Sequence, residues 1–178
     1  MSEGIENPRT GQRMTFATDR PELLEIDTIN PRTAVREPQH VHPKQESGAR
    51  VIAGSLRFNV EAVERSVGPG ESITIPANTP HHFWNDGDGD AHAVQWFRPA
   101  LKTRAFFETL FALAQDGKLD EKGMPSLLQI AVMIPEFSDE LRPTSPPWPL
   151  QRAMSTILAP IARRRGYSAY YGQAALSR

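Results

Sequence analysis

The stretch HVHPKQE at residues 40–46, read together with GESITIPANTPHHFWN at residues 70–85, decides how the chain is interpreted. Four of its five histidines lie between these limits. Because alternate side chains of a strand point to the same face, His40 and His42 are expected to share one space. His81 follows after strand-like segments and offers a third imidazole. Three such nitrogen donors suit a divalent transition metal such as Fe, Zn, Ni, Mn or Cu.

A His-x-His pair by itself is a weak signal, because two such histidines also occur as ordinary surface or core residues. Residues 70–85 strengthen the metal-site interpretation, because several turn residues and a histidine stand at fixed intervals over a long stretch. The residues of this spacing are Gly70, Pro76, Asn78, His81 and Asn85. We therefore predict that His40, His42 and His81 line one pocket and that the pocket holds a metal ion, whose identity the sequence leaves open.

Composition limits the class of protein. A chain of 178 residues forms one domain, or one domain with a helical appendage. A net charge of −1 provides no basic field for nucleic acid, so no nucleic acid partner is expected. The absence of cysteine excludes disulfides and thiolate ligands. No apolar leader opens the chain and no run approaches the roughly 20 apolar residues of a membrane span, so we expect a soluble, cytoplasmic protein without a membrane partner.

Residues 20–100 carry strand patterns separated by Gly and Pro turns. Alternation or β-type composition predicts strands at 23–29, 35–42, 63–67, 72–75 and 91–98, and a pair of strands around a turn within 50–60. Pro38 interrupts the second of these strands. Many short strands without intervening helices indicate an antiparallel sandwich or barrel. Residues 1–20 are predicted to be a polar arm with a short edge strand at 13–18, or simply a frayed terminus.

The pattern changes to helical spacing after Pro99. Helices are predicted at 103–116, at 127–133 with an end near Pro135, and at 149–165. Their apolar stripes indicate core or dimer surface, and we expect a homodimer. The tail after Tyr167 is expected to be mobile. The predicted division is therefore an arm at 1–20, a β-barrel at 20–100, and a helical extension with a tail at 101–178.

The motif spacing resembles that of the cupin superfamily over about residues 20–100. The second cupin motif is met at Gly70, Pro76, His81 and Asn85, with Asn78 in place of the middle glycine. Asn tolerates the left-handed backbone that a turn there can require. The first motif is met at His40, His42 and Gly54. The resemblance implies a mainly β fold, a cupin-type antiparallel β-barrel (a double-stranded β-helix or jelly roll), here with about three C-terminal helices. The helical block resembles an extension found in some small bacterial cupins.

The resemblance also implies a carboxylate ligand, and here the sequence departs from the pattern. Counting forward from His42 places the ligand at Glu46, whereas counting back from Gly54 places it at Ser47. A shift of one residue reverses the face of a strand. Because Arg50 is costly to bury unpaired, odd positions should face inward, which favours Ser47. Unless a bulge turns Glu46 inward, the metal site consists of three histidines, as in the thiol dioxygenases of this superfamily.

The favoured function is an enzyme with a mononuclear metal site, since such a site can act as a Lewis acid or as an electron donor to oxygen. Dioxygenase (oxidoreductase), isomerase or cyclase, and lyase chemistry all remain open. Gln45 and Ser47 are candidate substrate-binding residues, because both occupy odd positions, whose side chains are expected to face inward. Phe58 and Phe83, and less strongly Trp96, would form an apolar wall that suits an aromatic or polyketide-like molecule.

Catalytic residues are not assigned by the sequence. His82 and Glu46 are possible acid–base groups, although each is also explained as a surface residue. The alternative function is a non-enzymatic, small-molecule-binding cupin with a degraded metal site, which the doubtful carboxylate favours. An effector-sensing module is a weaker alternative, because no DNA-binding helix pair is attached.

Overall fold

Two antiparallel sheets carry the fold in the computed structural model, which describes residues 4–175. The strands are β1 (Gly4–Asn7), β2 (Gln12–Arg20), β3 (Leu23–Asn30), β4 (His40–Val41), β5 (Glu46–Ala53), β6 (Leu56–Val60), β7 (Val63–Val67), β8 (Ser72–Ile75), β9 (His81–Trp84), β10 (Ala91–Arg98) and β11 (Arg142–Pro143). Six strands form one sheet in the order β1-β2-β3-β10-β5-β8. Five form the other in the order β11-β4-β9-β6-β7. The predicted antiparallel, mainly β architecture is confirmed.

Buried and partly buried side chains alternate strictly along the two central strands of the larger sheet, as expected for strands that bury one face. In β3 every second residue is buried, beginning at Leu24, and in β10 the same holds from Ala91 to Phe97. The inward side chains of β5, β8 and β10 meet those of β6 and β7 in one apolar cluster that includes Val51, Phe58 and Val67. Burial of this shared face is what holds the two sheets together.

Two strand predictions need correction. The region predicted as an arm contains two strands, β1 and β2, and β1 rather than β2 forms the sheet edge. The strand predicted at 35–42 is reduced to the two residues of β4. Pro31 and Pro38 explain the second difference, because proline has no N–H to donate to a ladder. Residues 31–39 therefore cross between the sheets as irregular chain.

Three helices follow β10 in the described part of the chain, as predicted, with β11 between the second and the third. They are α1 (Thr103–Gln115), α2 (Leu127–Phe137) and α3 (Trp148–Arg164), and a short 3₁₀ helix follows at Gly172–Ala175. The predicted end of α2 near Pro135 is wrong, because the helix continues through this exposed proline. Phe137 lies two residues further on and is buried against Leu113 and Met133, so packing offsets the hydrogen bond that proline removes.

The helical extension shares its core with the larger sheet. Phe111 of α1 packs in one cluster with Leu24 and Phe97 of the sheet. The tail expected to be mobile is packed over its described part, since Tyr170 and Ala174 are buried beside α1 and α2. No helix between residues 4 and 175 is long and apolar enough to cross a membrane.

The division of the chain into an arm, a barrel and an extension stays a prediction, and so does the homodimer. Leu150, Ile157 and Ile161 of α3 are large apolar residues with exposed side chains. They lie on the stripe that the sequence assigned to core or dimer surface.

Gly48 on β5 provides a test of the packing between neighbouring elements. A Cβ at this position would overlap the indole ring of Trp96 and the backbone oxygen of Ile73. We expect Gly48→Ala to lower the free energy of unfolding by about 1–3 kcal/mol or more, because a close-packed interior cannot absorb the added atom. Denaturant unfolding measures this change. Gly89→Ala is the matched control, since its Cβ would meet no heavy atom within 4 Å. Equal stability of the two variants would contradict this packing.

Candidate metal centre and cavity

Strand pairing brings the two histidine motifs together. β4 pairs with β9 so that His40 lies opposite His81. His42 follows directly after β4, and its carbonyl oxygen accepts a 2.8 Å hydrogen bond from the backbone N–H of Asn78. Asn78 has φ of 61°, which is the left-handed backbone expected for the residue that replaces glycine in the motif. The turn before β9 is thereby tied to the segment after β4.

The helical extension holds β4 from its other side. β11 pairs with β4, with Pro143 opposite His40. The N–H of Thr144 adds a 2.9 Å hydrogen bond to the carbonyl oxygen of Gln39. A strand of only two residues is thus fixed by partners on both edges.

The three imidazoles form one compact, buried group. The distances between ring centroids are 5.0 Å for His40–His42, 4.6 Å for His40–His81 and 5.0 Å for His42–His81. One ligand atom from each residue lies within 4.8 Å of the others. Among the described residues this is the one group of three or more potential ligand residues with such spacing.

Each imidazole uses Nδ1 to donate to a backbone carbonyl. His40 donates to Pro38 at 3.0 Å, His81 to Thr79 at 2.8 Å, and His42 to Glu140 at 2.6 Å. A carbonyl only accepts, so Nδ1 carries the proton and Nε2 keeps its lone pair. Metal-binding histidines are usually oriented by a hydrogen bond of this kind. The partner of His42 comes from the segment after α2, so the extension helps to set the tautomer of a candidate ligand.

Burial keeps the three rings uncharged near neutral pH. It lowers the pKa of His40 to about 4. Burial and then the nearby His40 lower the pKa of His42 to about 3 and that of His81 to about 4. The hydrogen bonds to backbone carbonyls oppose these shifts only in part. A neutral imidazole is the form that binds a metal, so the donor set fits a divalent transition metal.

A cavity of about 230 Å³ adjoins the three histidines. Its walls come from both sheets and from the helical extension. Phe58 and Phe83 contribute from the smaller sheet, Phe107 and Phe111 from α1, and Phe137 from α2. Aromatic rings on most sides favour a ligand with a large apolar surface.

The residues predicted to bind substrate divide into two groups. Ser47, Phe58 and Phe83 line the cavity. Gln45 does not, and this expectation needs correction. Its side chain is fully buried elsewhere, and Nε2 donates to the carbonyl oxygens of Pro99 (2.7 Å) and Ala100 (3.0 Å) and to Oγ1 of Thr103 (2.7 Å). Gln45 therefore anchors the start of α1.

The carboxylate in doubt lies away from the cavity. Glu46 forms a 3.5 Å ion pair with Arg98, and both side chains are substantially exposed. Ser47, one residue later, is 4% exposed and faces the cavity. Trp96 and His82 are not among the lining residues. Trp96 packs over Gly48, and the ring of His82 stacks on Trp84 with centroids 5.3 Å apart.

Sequence reasoning missed several polar residues that line the cavity, among them Glu37 and Gln95. Glu37 is the sole carboxylate among the lining residues described. It lies in irregular chain, where no periodicity assigns a direction to its side chain. Gln95 lines the cavity from β10 and is 6% exposed. Its signal was present in the sequence, because it occupies the inward phase of an alternating strand.

Glu37 has an unusual environment for a carboxyl group. Its Oε1 accepts a 3.1 Å hydrogen bond from the backbone N–H of Phe83. Burial raises the pKa of Glu37 to about 7, although this hydrogen bond and the nearby His81 and His82 oppose the shift. By accessible surface Glu37 is nevertheless an exposed residue at the border of the cavity. A carboxyl with a pKa near 7 is suited to exchange protons at neutral pH.

Residues 27–97 match a family model described as a cupin domain. A protein named an oxidoreductase, from Arthrobotrys oligospora, is 26% identical over 125 residues, which are 66% of this chain and 48% of that protein. Protein SchB of Streptomyces halstedii is 32% identical over 63 residues, 35% of this chain and 46% of SchB. The chain thus spans about half the length of these curated relatives. The solved structure of KdgF from Halomonas sp. superposes with a TM-score of 0.51 at 21% identity, covering 56% of this chain and 91% of KdgF. This last likeness concerns the fold.

The raised pKa of Glu37 predicts a pH-dependent difference in stability. Between about pH 7 and pH 4.5 the folded protein keeps this carboxyl protonated, whereas the unfolded chain ionises it. The wild type should therefore gain stability relative to Glu37→Gln as the pH falls through this range. Denaturant unfolding of metal-free protein at a series of pH values measures the difference. Glu46→Gln, which removes a carboxylate from the surface, should follow the wild type. A constant difference between wild type and Glu37→Gln would contradict the raised pKa of this carboxyl.

Proposed function

Because the chain belongs to the cupin superfamily, we propose that it is a metal-dependent enzyme acting on a small aromatic or polyketide-like molecule. The reaction class is dioxygenase, or isomerase or cyclase, at a mononuclear site. One observation carries the proposal: three neutral imidazoles present Nε2 to a common space beside an apolar cavity. The relative from Arthrobotrys oligospora named an oxidoreductase is consistent with the first class.

His40, His42 and His81 would hold the metal. Their hydrogen bonds to backbone carbonyls orient the rings before any ion binds, which lowers the cost of binding. A divalent transition metal would supply Lewis acidity, or an electron for oxygen chemistry. Three neutral ligands add no negative charge, so the affinity for the ion should be moderate and the ion's own charge largely retained.

The chain's own residues have separate parts in this proposal. Phe58, Phe83 and the aromatic residues of α1 exclude water and hold the apolar body of the substrate. Glu37 takes or returns a proton, because it is the carboxyl on the cavity wall and its pKa lies near 7. Ser47 presents a hydroxyl to the cavity at the position that counting back from Gly54 assigns to the carboxylate ligand of the superfamily pattern.

The alternative is a non-enzymatic cupin that binds a small molecule and keeps a degraded metal site. The placement of Glu46 outside the cavity favours it, because the site then lacks one ligand of the common set. Benzoylacetone separates the two functions, since it is an aromatic compound with an acidic C–H group. Oxygen uptake or enolisation of this compound by the metal-loaded protein supports the enzyme. Saturable binding without turnover supports the binder.

Metal content across three variants tests the proposed site. His81→Ala should reduce the stoichiometry from near one ion per chain to near zero, because two imidazoles hold a divalent ion poorly. Ser47→Glu should tighten binding about tenfold or more, because it adds a charged oxygen donor at the cavity wall. Elemental analysis after dialysis against a series of metal concentrations measures both effects.

Glu46→Gln is the matched control and should leave the metal content unchanged, because this carboxylate pairs with Arg98. If Glu46→Gln loses the metal as fully as His81→Ala does, Glu46 turns inward in the metal-bound protein and the site is a three-His-one-Glu set. If all variants retain the metal, the ion does not bind at the three histidines.

A further inference from the structure

We infer that the molecule bound in the cavity carries a negatively charged group, and that Arg36 and Lys122 at the mouth of the cavity bind this group. The class of ligand that follows is an aromatic anion, such as an aryl carboxylate. The aromatic part of this statement rests on the proposed function. The anionic part rests on the charges that surround the mouth.

Four exposed residues mark the mouth of the cavity. Among the described residues that line it, only Arg36, Glu37, Pro38 and Lys122 are exposed, whereas all the others are buried or half-buried. Solvent therefore reaches the cavity beside two cationic side chains. A ligand that enters from solvent can contact both of them without any rearrangement of the core.

The two cations come from segments of the chain that touch each other. A Cβ added at Gly123 would lie 3.1 Å from Cγ1 of Val35, so these two residues lie against each other. Arg36 follows Val35 in the chain, and Lys122 precedes Gly123. Because both cations also line the cavity, they border the same part of its mouth.

Local contacts hold both residues in place. Cζ of Arg36 lies 4.5 Å from the ring centroid of Trp84. A guanidinium stacked in this way keeps its N–H groups available for the two oxygens of a carboxylate. In the loop between α1 and α2, Oδ1 of Asp120 accepts hydrogen bonds from the backbone N–H groups of Lys122 (2.8 Å) and Met124 (2.9 Å). These bonds fix the backbone of the turn from which the lysine side chain extends.

The charges around the cavity favour an anion. Arg36 and Lys122 are the two cations among the described lining residues, and Glu37 is the one carboxylate. The Glu37 carboxyl accepts a hydrogen bond from the backbone N–H of Phe83 and forms no ion pair with either cation. The lining residues therefore carry a net positive charge whether or not Glu37 is ionised. The two acidic residues that precede Lys122 in the chain do not line the cavity. Positive charge at the mouth of an apolar cleft raises the local concentration of an anionic ligand.

The mouth lies close to the three histidines. The carbonyl oxygen of Pro38, two residues after Arg36, accepts the 3.0 Å hydrogen bond from Nδ1 of His40. An anion bound at the mouth would thus leave the apolar body of the ligand among the aromatic walls beside the candidate metal centre. The cavity volume of about 230 Å³ lies below the roughly 300–1,000 Å³ of drug-sized sites, which favours one or two rings.

Two probes of nearly the same shape but different charge test the inference on metal-free protein. They are 3-phenylpropionate, an anion, and 3-phenylpropionamide, which is neutral. Calorimetric titration at neutral pH and low salt should show that the wild type binds the anion about fivefold more tightly, the magnitude expected for ion pairs near the surface. Added salt should reduce this preference, because it screens exposed charges.

Variants of the two cations identify where the anion binds. Arg36→Gln and Lys122→Gln should each reduce the preference about two- to threefold, and the double variant should remove it. Lys122→Glu should reverse it, so that the amide binds more tightly, whereas Lys122→Arg should keep it. Arg152→Gln is the matched control, because it removes the same charge from an exposed position on α3 that does not line the cavity. This control should bind both probes as the wild type does.

Three results would overturn the inference. Equal affinity of the wild type for the two probes would exclude recognition of the anion and leave the aromatic cavity of the proposed function intact. Binding of neither probe would contradict the aromatic part as well. A preference that survives in the double variant, or that falls equally in Arg152→Gln, would place the anion elsewhere on the protein. None of these measurements involves a metal, so they stand apart from the metal-content test of the proposed function.

Discussion

The pairing of β4 with β9 is the constraint on which the site depends. It places His40 opposite His81 across a single register position, and β4 has only two residues. So short a strand is stable because both of its edges are paired, with β9 on one side and β11 on the other. The hydrogen bond from Asn78 to the carbonyl of His42 adds a third tie. These contacts fix the position of β4 and of His42, and the three imidazoles therefore lie close together.

The helical extension is consequently part of the site. It contributes β11 to the smaller sheet, the Glu140 carbonyl to His42, and the aromatic wall of α1 and α2 to the cavity. Its own attachment depends on buried side chains, including Gln45 at the start of α1. A change in the packing of the helices would therefore reach the histidines through backbone hydrogen bonds as well as through the cavity wall.

The polar groups of the cavity are arranged at a cost to stability. Three imidazoles are buried close together, the Glu37 carboxyl has a pKa near 7, and the Gln95 amide lacks a protein partner. Elsewhere in the fold, buried polar groups such as Thr28, Asn30 and Asn85 are joined by hydrogen bonds. Four buried polar atoms away from the cavity also lack a partner among the described residues, namely Oε1 of Gln45, Nδ1 of His82, Nε1 of Trp96 and Oε2 of Glu140. Local violations of the rules that stabilise a fold are typical of functional sites. The histidines, Glu37 and Gln95 all line one cavity, and this placement supports the proposed function.

The sequence by itself determined the features that follow from local pattern. The two-residue period of strands and the turn residues predicted β3, part of β5, β6 to β8 and β10. Helical spacing of apolar residues predicted the three helices. Both periods can be read from residues that are neighbours in the sequence, whereas β9 was not predicted as a strand. Motif spacing indicated that His40, His42 and His81 belong together. The phase of Arg50 favoured Ser47 over Glu46 for the inward position, and the structure has Ser47 on the cavity wall.

Only the tertiary structure decided the features that depend on contacts between distant residues. Gln45 and Gln95 both occupy inward positions, yet Nε2 of Gln45 meets backbone acceptors more than fifty residues away, whereas Nε2 of Gln95 meets none between residues 4 and 175. Glu37 reaches the cavity from irregular chain, and α2 continues past Pro135 because Phe137 is buried. In each case the local pattern permits several outcomes. The partners that select one of them are brought close only when the sheets and helices pack.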